Sequence, residues 1–372
     1  MSQKTRAPIN EHPLALGSFR SWLRLLRSSQ GIDGKYLPRA LFVTLTTFLT
    51  SPLRLYERAR YGKLLQQTAI HPSPVFIIGH WRSGTTYLHQ LLCQDESFGY
   101  VSTLQGLTPG FCLMGEKWFK PMLAWIAGRA HPTRIIDNVI LALDAPQEDE
   151  FALANLSPHS SLHYFSFPLR ASTFFERYAL HNNIPEVALT EWIEVFLSVL
   201  QKASLRCGGK QLVLKNPASS GRIRTLLGLF PEAKFIHIVR NPYDVYLSTL
   251  ATWQTVLPRS QLQGIGPGPV EANVLEFYVR LMQAYVRDRA LIPDGNLVEV
   301  RFEDLERAPV EEMGKMYQGL GLPGLAGAEP KFQAYADSMA GYEKNRFELS
   351  DEVAGRVKRH WGFAFEEWRY GV

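Results

Sequence analysis

Hydrophobic residues in this chain occur in short β-branched runs, each followed by a segment with helical spacing. Four such runs predict buried strands, at residues 74–78, 211–214, 234–239 and 297–302. Asn216 and Asn241 each precede a proline, which is the arrangement of a capped helix start directly after a strand. Strands that alternate with helices predict a three-layer α/β fold with a central parallel sheet covered on both faces.

The first 70 residues have a different pattern and predict a basic helical extension ahead of an α/β domain at residues 71–372. Within residues 19–28, apolar side chains recur at helical spacing and three arginines form a separate stripe. Such a helix either packs on the core of its own protein or lies on an anionic membrane surface, and the sequence leaves both open. Peripheral membrane contact through residues 19–28 is therefore a hypothesis. Residues 40–50 form too short an apolar run, and one too rich in threonine, to span a bilayer.

Charge is concentrated in this extension. Residues 1–70 hold 11 Lys and Arg against 3 Asp and Glu, a net +8, whereas the remaining residues hold 29 against 32, within a total of +5. A nearly neutral body argues against nucleic-acid binding and is compatible with a local pocket for a small anion. The three cysteines have no CxxC spacing, which excludes a disulfide scaffold and a cysteine zinc site and fits a reducing, cytoplasmic compartment.

The segment after the first predicted strand, residues 79–86, reads GHWRSGTT and has GxxxxG spacing followed by two threonines. In a strand–loop–helix unit of this kind, backbone N–H groups and the positive end of the helix converge on one phosphate or sulfate. A nucleotide triphosphatase has a lysine after the second glycine, where this chain has Thr85, and the cation of this loop is Arg82 instead. The pattern argues against ordinary ATP or GTP hydrolysis. It favours a terminal group handled by an arginine and hydroxyls, without a metal ion.

The stretch FIIGHWRSGTTYLHQLL resembles the 5′-phosphosulfate loop of sulfotransferases that use 3′-phosphoadenosine 5′-phosphosulfate, with Trp81 where that family usually has proline. FIHIVRNPYDVYLS is similar to the second signature of the family, a strand that ends in an arginine, here Arg240, with a serine eight residues later, here Ser248. LVLKNP and VRFEDLERAP match two further family stretches, so the resemblance covers residues 74–320. It implies a P-loop NTPase-like fold and in-line transfer of a sulfuryl group to an acceptor hydroxyl.

The resemblance also assigns residues to the two ends of this donor. The 5′-phosphosulfate is expected at the amides and hydroxyls of the loop, and the 3′-phosphate at Arg240 and Ser248, because a guanidinium can bind phosphate with two parallel hydrogen bonds. Tyr87 is expected to pack against the adenine. The donor-binding set that follows from the resemblance is Arg82, Ser83, Gly84, Thr85, Thr86, Tyr87, Arg240 and Ser248.

Sulfuryl transfer requires cations beside the sulfuryl oxygens and a base beside the acceptor hydroxyl. Arg82 in the loop is the first candidate cation. Lys215 at the end of its strand is the second, because family members often have a lysine there. Many cytosolic members have a histidine two positions later, where this chain has Pro217, so a histidine base at this place is in doubt.

A carboxylate is the expected replacement for that histidine. The acidic stretch at residues 148–150 is predicted to lie in the first turns of a helix capped by Asp144. Glu148 and Glu150 are about 200° apart on a helix, so both cannot face one cleft. Glu150 is the favoured base, Glu148 is next, and His80 beside the loop is a third candidate.

Other features bear on the acceptor and on competing functions. His159 and His163 lack accompanying ligands and are expected to be acceptor-site or core residues, with no metal site. Apolar stretches, including residues 118–127, favour a hydrophobic acceptor such as a lipid, although carbohydrate and aryl alcohols stay open. The alternatives are a magnesium-dependent P-loop kinase of small molecules and a membrane-peripheral protein that binds adenine nucleotides without catalysis.

Overall fold

The computed structural model describes residue 9 and residues 12–114, 142–339 and 347–371. Its centre is a five-stranded parallel sheet in the order β2–β3–β1–β4–β5. The strands are β1 Val75–Gly79, β2 Phe98–Gly99, β3 Gln211–Lys215, β4 Lys234–Val239 and β5 Leu297–Arg301. The four predicted strands are confirmed to within one residue at each end. The edge strand β2 has only two residues, too few for a pattern of alternating side chains.

Both faces of the sheet are buried, as the runs of apolar residues predict. Successive residues of a strand point to opposite faces, so each strand contributes to two apolar clusters. In β1, Phe76 and Ile78 belong to the larger cluster, whereas Val75 and Ile77 belong to the smaller one, and all four are buried. A strand with no polar face requires helices on both sides of the sheet.

In the described part of the chain, sixteen α-helices surround this sheet. The smaller cluster is closed by α4, α14 and α15, and the larger one by α9, α11, α12 and α16 together with α1. The helices are α1 Phe19–Ser28, α2 Leu37–Leu49, α3 Ser51–Gln67, α4 Thr85–Leu92, α5 Thr103–Leu107, α6 Asp149–Leu156, α7 His163–Ser166, α8 Ala171–Phe174, α9 Glu186–Arg206, α10 Ile223–Leu229, α11 Pro242–Ser260, α12 Pro267–Asp288, α13 Phe302–Arg307, α14 Pro309–Leu320, α15 Leu325–Ser338 and α16 Asp351–Glu367.

The predicted caps after β3 and β4 are confirmed. The Asn216 side chain accepts a hydrogen bond from the Ala218 backbone N–H at 3.0 Å, and that of Asn241 accepts one from the Tyr243 N–H at 3.0 Å. After Asn216 the chain first forms a 3₁₀ turn at Pro217–Gly221, and α10 begins only after it. The two caps hold the carboxyl ends of β3 and β4 in fixed positions at one edge of the sheet.

The N-terminal segment forms three helices that pack on the body of the protein. Trp22 and Leu25 of α1 are buried in the same cluster as Phe76 of the sheet, so the apolar side of this helix faces the protein core. Glu57 of α3 is buried and accepts a hydrogen bond from Lys202 Nζ of α9 at 2.5 Å. A domain boundary at residue 70 stays a prediction. None of the described helices is both long and apolar enough to traverse a bilayer.

Candidate functional site

The loop between β1 and α4 follows a path that only glycine permits at two positions. Gly79 has φ +142°, and a Cβ atom there would lie 2.3 Å from the Ile238 carbonyl oxygen of β4. Gly84 has φ +96°, and its Cβ would lie 2.1 Å from the Phe302 ring. L-residues rarely adopt these φ values, and the absence of a side chain lets the loop lie directly against two neighbouring elements.

Within this loop, Arg82 adopts a left-handed backbone conformation with φ +71°. A non-glycine residue with a left-handed backbone is strained. In this conformation the Arg82 side chain extends towards α11. The Arg82 Nε donates a hydrogen bond to the Ser248 hydroxyl at 2.8 Å. Two residues singled out from motifs more than 160 positions apart are therefore in direct contact.

Arg240, the residue after β4, also contacts Phe302. Its guanidinium is centred over the Phe302 ring at 4.8 Å, and its NH1 lies 3.5 Å from the Arg82 carbonyl oxygen as a hydrogen-bond donor. Its NH2 donates to Asp244 Oδ2 at 3.1 Å, within the first turn of α11. Because Gly84 and Arg240 contact the same ring, the loop and the second motif form one continuous surface.

Tyr87 lies one turn into α4 beside this surface. Its ring is 6.4 Å from that of Phe302, in an edge-on arrangement, and 6.2 Å from that of Tyr335. Burial, with a smaller contribution from the charge of Glu306, raises the pKa of the Tyr87 hydroxyl. Tyr87 is therefore part of an aromatic cluster that is half-buried at the end of the loop.

A cavity of about 300 Å³ lies against the loop, and Tyr87 is not among the residues that line it. Six residues singled out from the sequence line it: His80, Arg82, Thr85, Thr86, Glu148 and Lys215. Aromatic and aliphatic side chains form most of the remaining wall, among them Trp81, Phe151, Leu162, Tyr164, Phe165, Trp253 and Phe277. Ser83, Gly84, Tyr87, Glu150, Arg240 and Ser248 lie outside this wall. The cavity thus joins a charged end at the loop to an apolar interior.

Lys215 and Glu148 face each other at the charged end. Lys215 is the last residue of β3, and its Nζ lies 2.8 Å from Glu148 Oε2. Both side chains are buried, and Oε1 of Glu148 has no hydrogen-bond partner among the described residues. A buried carboxylate oxygen without a partner is costly, and this one could accept a hydrogen bond from a group bound in the cavity.

Glu150 lies in a different environment, fully buried and saturated with hydrogen bonds. Arg222 donates to both of its oxygens, and the Ser160 hydroxyl and the Asn216 amide contribute further bonds at 2.7 and 2.8 Å. Burial alone would raise the pKa of Glu150, but the charge and hydrogen bonds of Arg222, with Asn216 and Ser160, lower it to about 2. Glu150 is therefore a carboxylate with a lowered pKa that holds neighbouring elements together.

The two glutamates diverge because the helix begins later than expected. α6 starts at Asp149, with Glu148 at its N-cap position, and the prediction that Asp144 caps this helix is wrong. Asp144 is exposed and pairs with Arg206 at 3.3 Å. Glu148 consequently projects from an extended backbone into the cavity, whereas Glu150 projects from the first turn into the core.

The histidines near this region have separate surroundings. His80 lines the cavity, and burial lowers its pKa to about 4 despite a hydrogen bond to the Trp81 carbonyl, at 2.7 Å from Nδ1. His159 bonds to the Tyr178 hydroxyl and to Glu191 at 2.9 and 3.1 Å, and His163 to the Ser157 carbonyl at 2.9 Å. Neither His159 nor His163 lines the cavity, so both are core residues.

Across residues 12–114, 142–339 and 347–371, no group of three or more His, Cys, Asp or Glu side chains is arranged to hold a metal ion. The apolar segment at residues 118–127 lies outside the described residues. The aromatic wall of the cavity was not predicted from the sequence, although the spacing of residues in α11 could have indicated part of it. Its lining residues have the spacing of one helix face: Thr249, Thr252, Trp253 and Val256.

Comparisons with known proteins identify the family of this chain. A family model described as Sulfotransferase family matches residues 74–326. Omega-hydroxy-beta-dihydromenaquinone-9 sulfotransferase Stf3 of Mycobacterium bovis is 33% identical over 360 residues, which cover 96% of this chain and 91% of the relative. The Mycobacterium tuberculosis protein of the same name matches with the same values.

Two solved structures have the same fold. Sulfotransferase STF1 from Mycobacterium tuberculosis has a TM-score of 0.66 at 16% identity, over 93% of this chain and 92% of that one. Sulfotransferase STF9 from Mycobacterium avium has a TM-score of 0.67 at 18% identity, over 99% and 98%. The predicted α/β fold is thereby confirmed. The matched family model and the relative with 33% identity together show that the chain belongs to the sulfotransferase family, as an enzyme and neither a kinase nor a binding protein without activity.

Proposed function

We propose that this enzyme transfers the sulfuryl group of 3′-phosphoadenosine 5′-phosphosulfate to the hydroxyl of an apolar, lipid-like acceptor. The observation that carries the proposal is that Lys215 pairs with one oxygen of Glu148 and leaves the other without a partner in the described part of the chain, on the wall of a largely apolar cavity. The relatives with 33% identity are named for an omega-hydroxylated menaquinone, which is an apolar molecule with a hydroxyl group.

The donor is proposed to bind across the surface that contains Phe302. The N-terminus of α4 and the hydroxyls of Ser83, Thr85 and Thr86 suit the 5′-phosphosulfate, because the first N–H groups of a helix have no partner within it. Arg240 and Ser248 suit the 3′-phosphate. Asp244, which is largely exposed, pairs with Arg240 in this structure. A phosphate carries more negative charge and would displace Asp244 from Arg240. The aromatic cluster around Tyr87 offers a flat surface for adenine.

The charged end of the cavity supplies the groups that transfer requires. Arg82 and Lys215 are the cations for the oxygens of the migrating sulfuryl group. Glu148 Oε1 accepts the proton of the acceptor hydroxyl as the new oxygen–sulfur bond forms. The bond from sulfur to the bridging oxygen breaks in line, and 3′-phosphoadenosine 5′-phosphate leaves. Glu148 replaces Glu150 as the favoured base, because both oxygens of Glu150 are already occupied by hydrogen bonds away from the cavity.

The acceptor is tested by incubating a lipid extract with the enzyme and donor labelled with ³⁵S, followed by mass spectrometry. We expect the label in a hydroxylated lipid whose mass has increased by one sulfuryl group. The Lys215→Met variant is the matched control, and its products should lack the label. Label found solely in water-soluble carbohydrate or in small aryl alcohols would contradict the apolar acceptor. Magnesium-dependent transfer of phosphate from ATP would contradict sulfuryl transfer altogether.

A further inference from the structure

A row of large apolar side chains lies exposed along α2. Five residues form it, each between 50% and 67% exposed, and we refer to them as the α2 face: Leu37, Leu41, Leu45, Phe48 and Leu49. Single exposed leucines are common on soluble proteins, but a continuous row along one helix marks an interaction surface. The row continues beyond this helix, because Leu55 and Tyr56 of α3 are also exposed.

The orientation of α2 is fixed, so the row cannot turn inwards. Ala40, Val43 and Thr47 on the opposite side are buried. Arg39 is buried too and donates hydrogen bonds to the carbonyl oxygens of Pro258 and Gln261 at 2.8 and 2.9 Å. These bonds fasten the first turn of α2 to the end of α11. Rotation of the helix would bury Leu41 and Leu45 only by breaking them.

The threonine hydroxyls of α2 are satisfied within the helix itself. The hydroxyls of Thr44, Thr46 and Thr47 donate to carbonyl oxygens four residues earlier, at 2.7 to 2.9 Å. The hydroxyl of Thr50 does the same at 2.7 Å. An apolar medium excludes polar groups that lack a partner, so this pattern makes α2 compatible with such a medium.

Basic residues lie on the elements that adjoin α2, and we refer to them as the basic border of the α2 face. Six exposed lysine and arginine side chains lie on the adjoining elements: Arg20, Arg27, Lys35, Arg58, Arg60 and Lys63. Across residues 12–70 the acids are Asp33, which accepts a hydrogen bond from the Gly264 N–H at 2.7 Å, and the buried Glu57. Phe19 of α1 contacts Phe48 at 5.5 Å between ring centroids, which joins α1 to the edge of the face.

We infer that the α2 face is a docking surface for an anionic phospholipid bilayer, with α2 lying in the plane of the interface. A basic border around an apolar row complements anionic headgroups above acyl chains. A second copy of the chain fits less well, since a two-fold contact would bring the same basic border against itself. α1 contributes Arg20 and Arg27 to this surface, whereas its Trp22 and Leu25 belong to the core.

The α2 face lies near the cavity, so docking to a bilayer would bring the cavity close to lipids. The carbonyl groups that hold Arg39 belong to the same end of α11 whose Val256, Arg259 and Ser260 line the cavity. A bilayer at α2 would therefore lie beside one wall of the cavity. Bilayer binding goes beyond the proposed transfer reaction and is measured without turnover.

The test is flotation of the full chain with phosphatidylcholine vesicles, with and without roughly one-third phosphatidylglycerol. Three variants are compared with the unmodified chain: Leu41→Gln with Leu45→Gln, Arg58→Gln with Arg60→Gln and Lys63→Gln, and the control Val187→Gln. Val187 is an exposed apolar residue of α9. The melting temperature and the binding of 3′-phosphoadenosine 5′-phosphate are measured for each variant to check that it is folded.

We expect the unmodified chain and Val187→Gln to bind the anionic vesicles, and the double leucine variant to bind at least about tenfold less. The triple variant should lose the preference for phosphatidylglycerol. Equal binding by the double leucine variant, or no binding by the unmodified chain, would overturn the inference. A dimer in light scattering that this variant converts to a monomer would identify a protein interface instead and would also overturn it. Either result would leave the proposed transfer reaction intact, because donor-product binding is measured separately.

Discussion

Lys215 holds one oxygen of Glu148 at 2.8 Å and leaves the other oxygen without a hydrogen-bond partner in the described part of the chain. The pair lies where the carboxyl end of β3 meets the start of α6. A lysine in this position holds the carboxylate in place on the cavity wall, and a base for an acceptor hydroxyl has to be positioned in this way.

Replacement of Glu148 by glutamine should therefore remove turnover without removing the donor site. We expect kcat to fall about 100-fold or more, the usual size of a lost general base, with unchanged affinity for 3′-phosphoadenosine 5′-phosphate. Steady-state kinetics and isothermal titration measure the two quantities. Glu148→Asp should recover part of the rate. Wild-type turnover in Glu148→Gln would exclude it as the base and leave His80 as the candidate.

Glu150→Gln should act on stability instead. It leaves the buried Arg222 charge without its counter-ion, which costs about 3 kcal/mol of unfolding free energy. Glu191→Gln is the matched control, because its partner Arg24 is partly exposed and the loss should stay within about 1 kcal/mol. Denaturant unfolding at neutral pH compares the two variants. An equal loss of unfolding free energy in both variants would show that the buried Glu150–Arg222 pair stabilises the fold no more than the partly exposed pair does.

The same carboxylate predicts a pH dependence of stability. Its pKa is about 2 in the folded protein against an ordinary value of 4.5, so the unfolded chain binds more protons between these values. The stabilisation is complete above about pH 4.5 and is lost as the pH falls towards 2. Unfolding free energies measured across this range should decline less steeply in Glu150→Gln than in the unmodified chain. Identical slopes would contradict the assignment.

Arg240→Ala should weaken binding of the donor product by about 2 kcal/mol, roughly 30-fold, which is the scale of a hydrogen bond to a charged group. Arg307→Ala removes the same charge from an exposed position on α13 and serves as the control. Asp244→Asn should preserve or tighten binding, since it removes the negative charge that now pairs with Arg240. Isothermal titration with 3′-phosphoadenosine 5′-phosphate measures all three, and an unchanged affinity in Arg240→Ala would remove this residue from the site.

Gly84→Ala should damage the loop, because its Cβ would collide with the Phe302 ring at a backbone conformation that alanine disfavours. We expect at least about tenfold weaker donor-product binding and a lower melting temperature. Gly228→Ala in α10 is the control, since its Cβ would meet no atom within 4 Å. Unaffected binding in Gly84→Ala would place the phosphosulfate elsewhere.

The strands and the loop were predictable because their signals are local. A buried strand requires a run of apolar residues, and a tight loop requires glycine at stated positions, so β1 and Gly79–Gly84 follow from nearby residues alone. The α2 face was not predictable, because its exposure depends on Arg39 bonding to carbonyl groups more than 200 residues away. An apolar helix gives the same pattern whether its far side is covered or open.

Which of Glu148 and Glu150 is the better candidate for the base could not be predicted either, for a similar reason. The Gln147 N–H donates to the Val101 carbonyl at 2.8 Å, and Ser102 forms an antiparallel bridge with Pro146. These contacts hold the chain extended up to Glu148 and delay the start of α6. The partner of Glu150, Arg222, lies 72 residues further on, with no motif to connect them. Local capping rules alone therefore favoured the wrong cap.

The position of the Phe302 ring affects the proposed nucleotide site as well as the packing around it. One phenyl ring contacts both Gly84 and Arg240, and it is supplied by a third element, α13. The relative position of the two ends of the proposed nucleotide site therefore depends on this ring. A smaller side chain at position 302 would remove a contact from both ends at once, although Phe302 itself carries no charge.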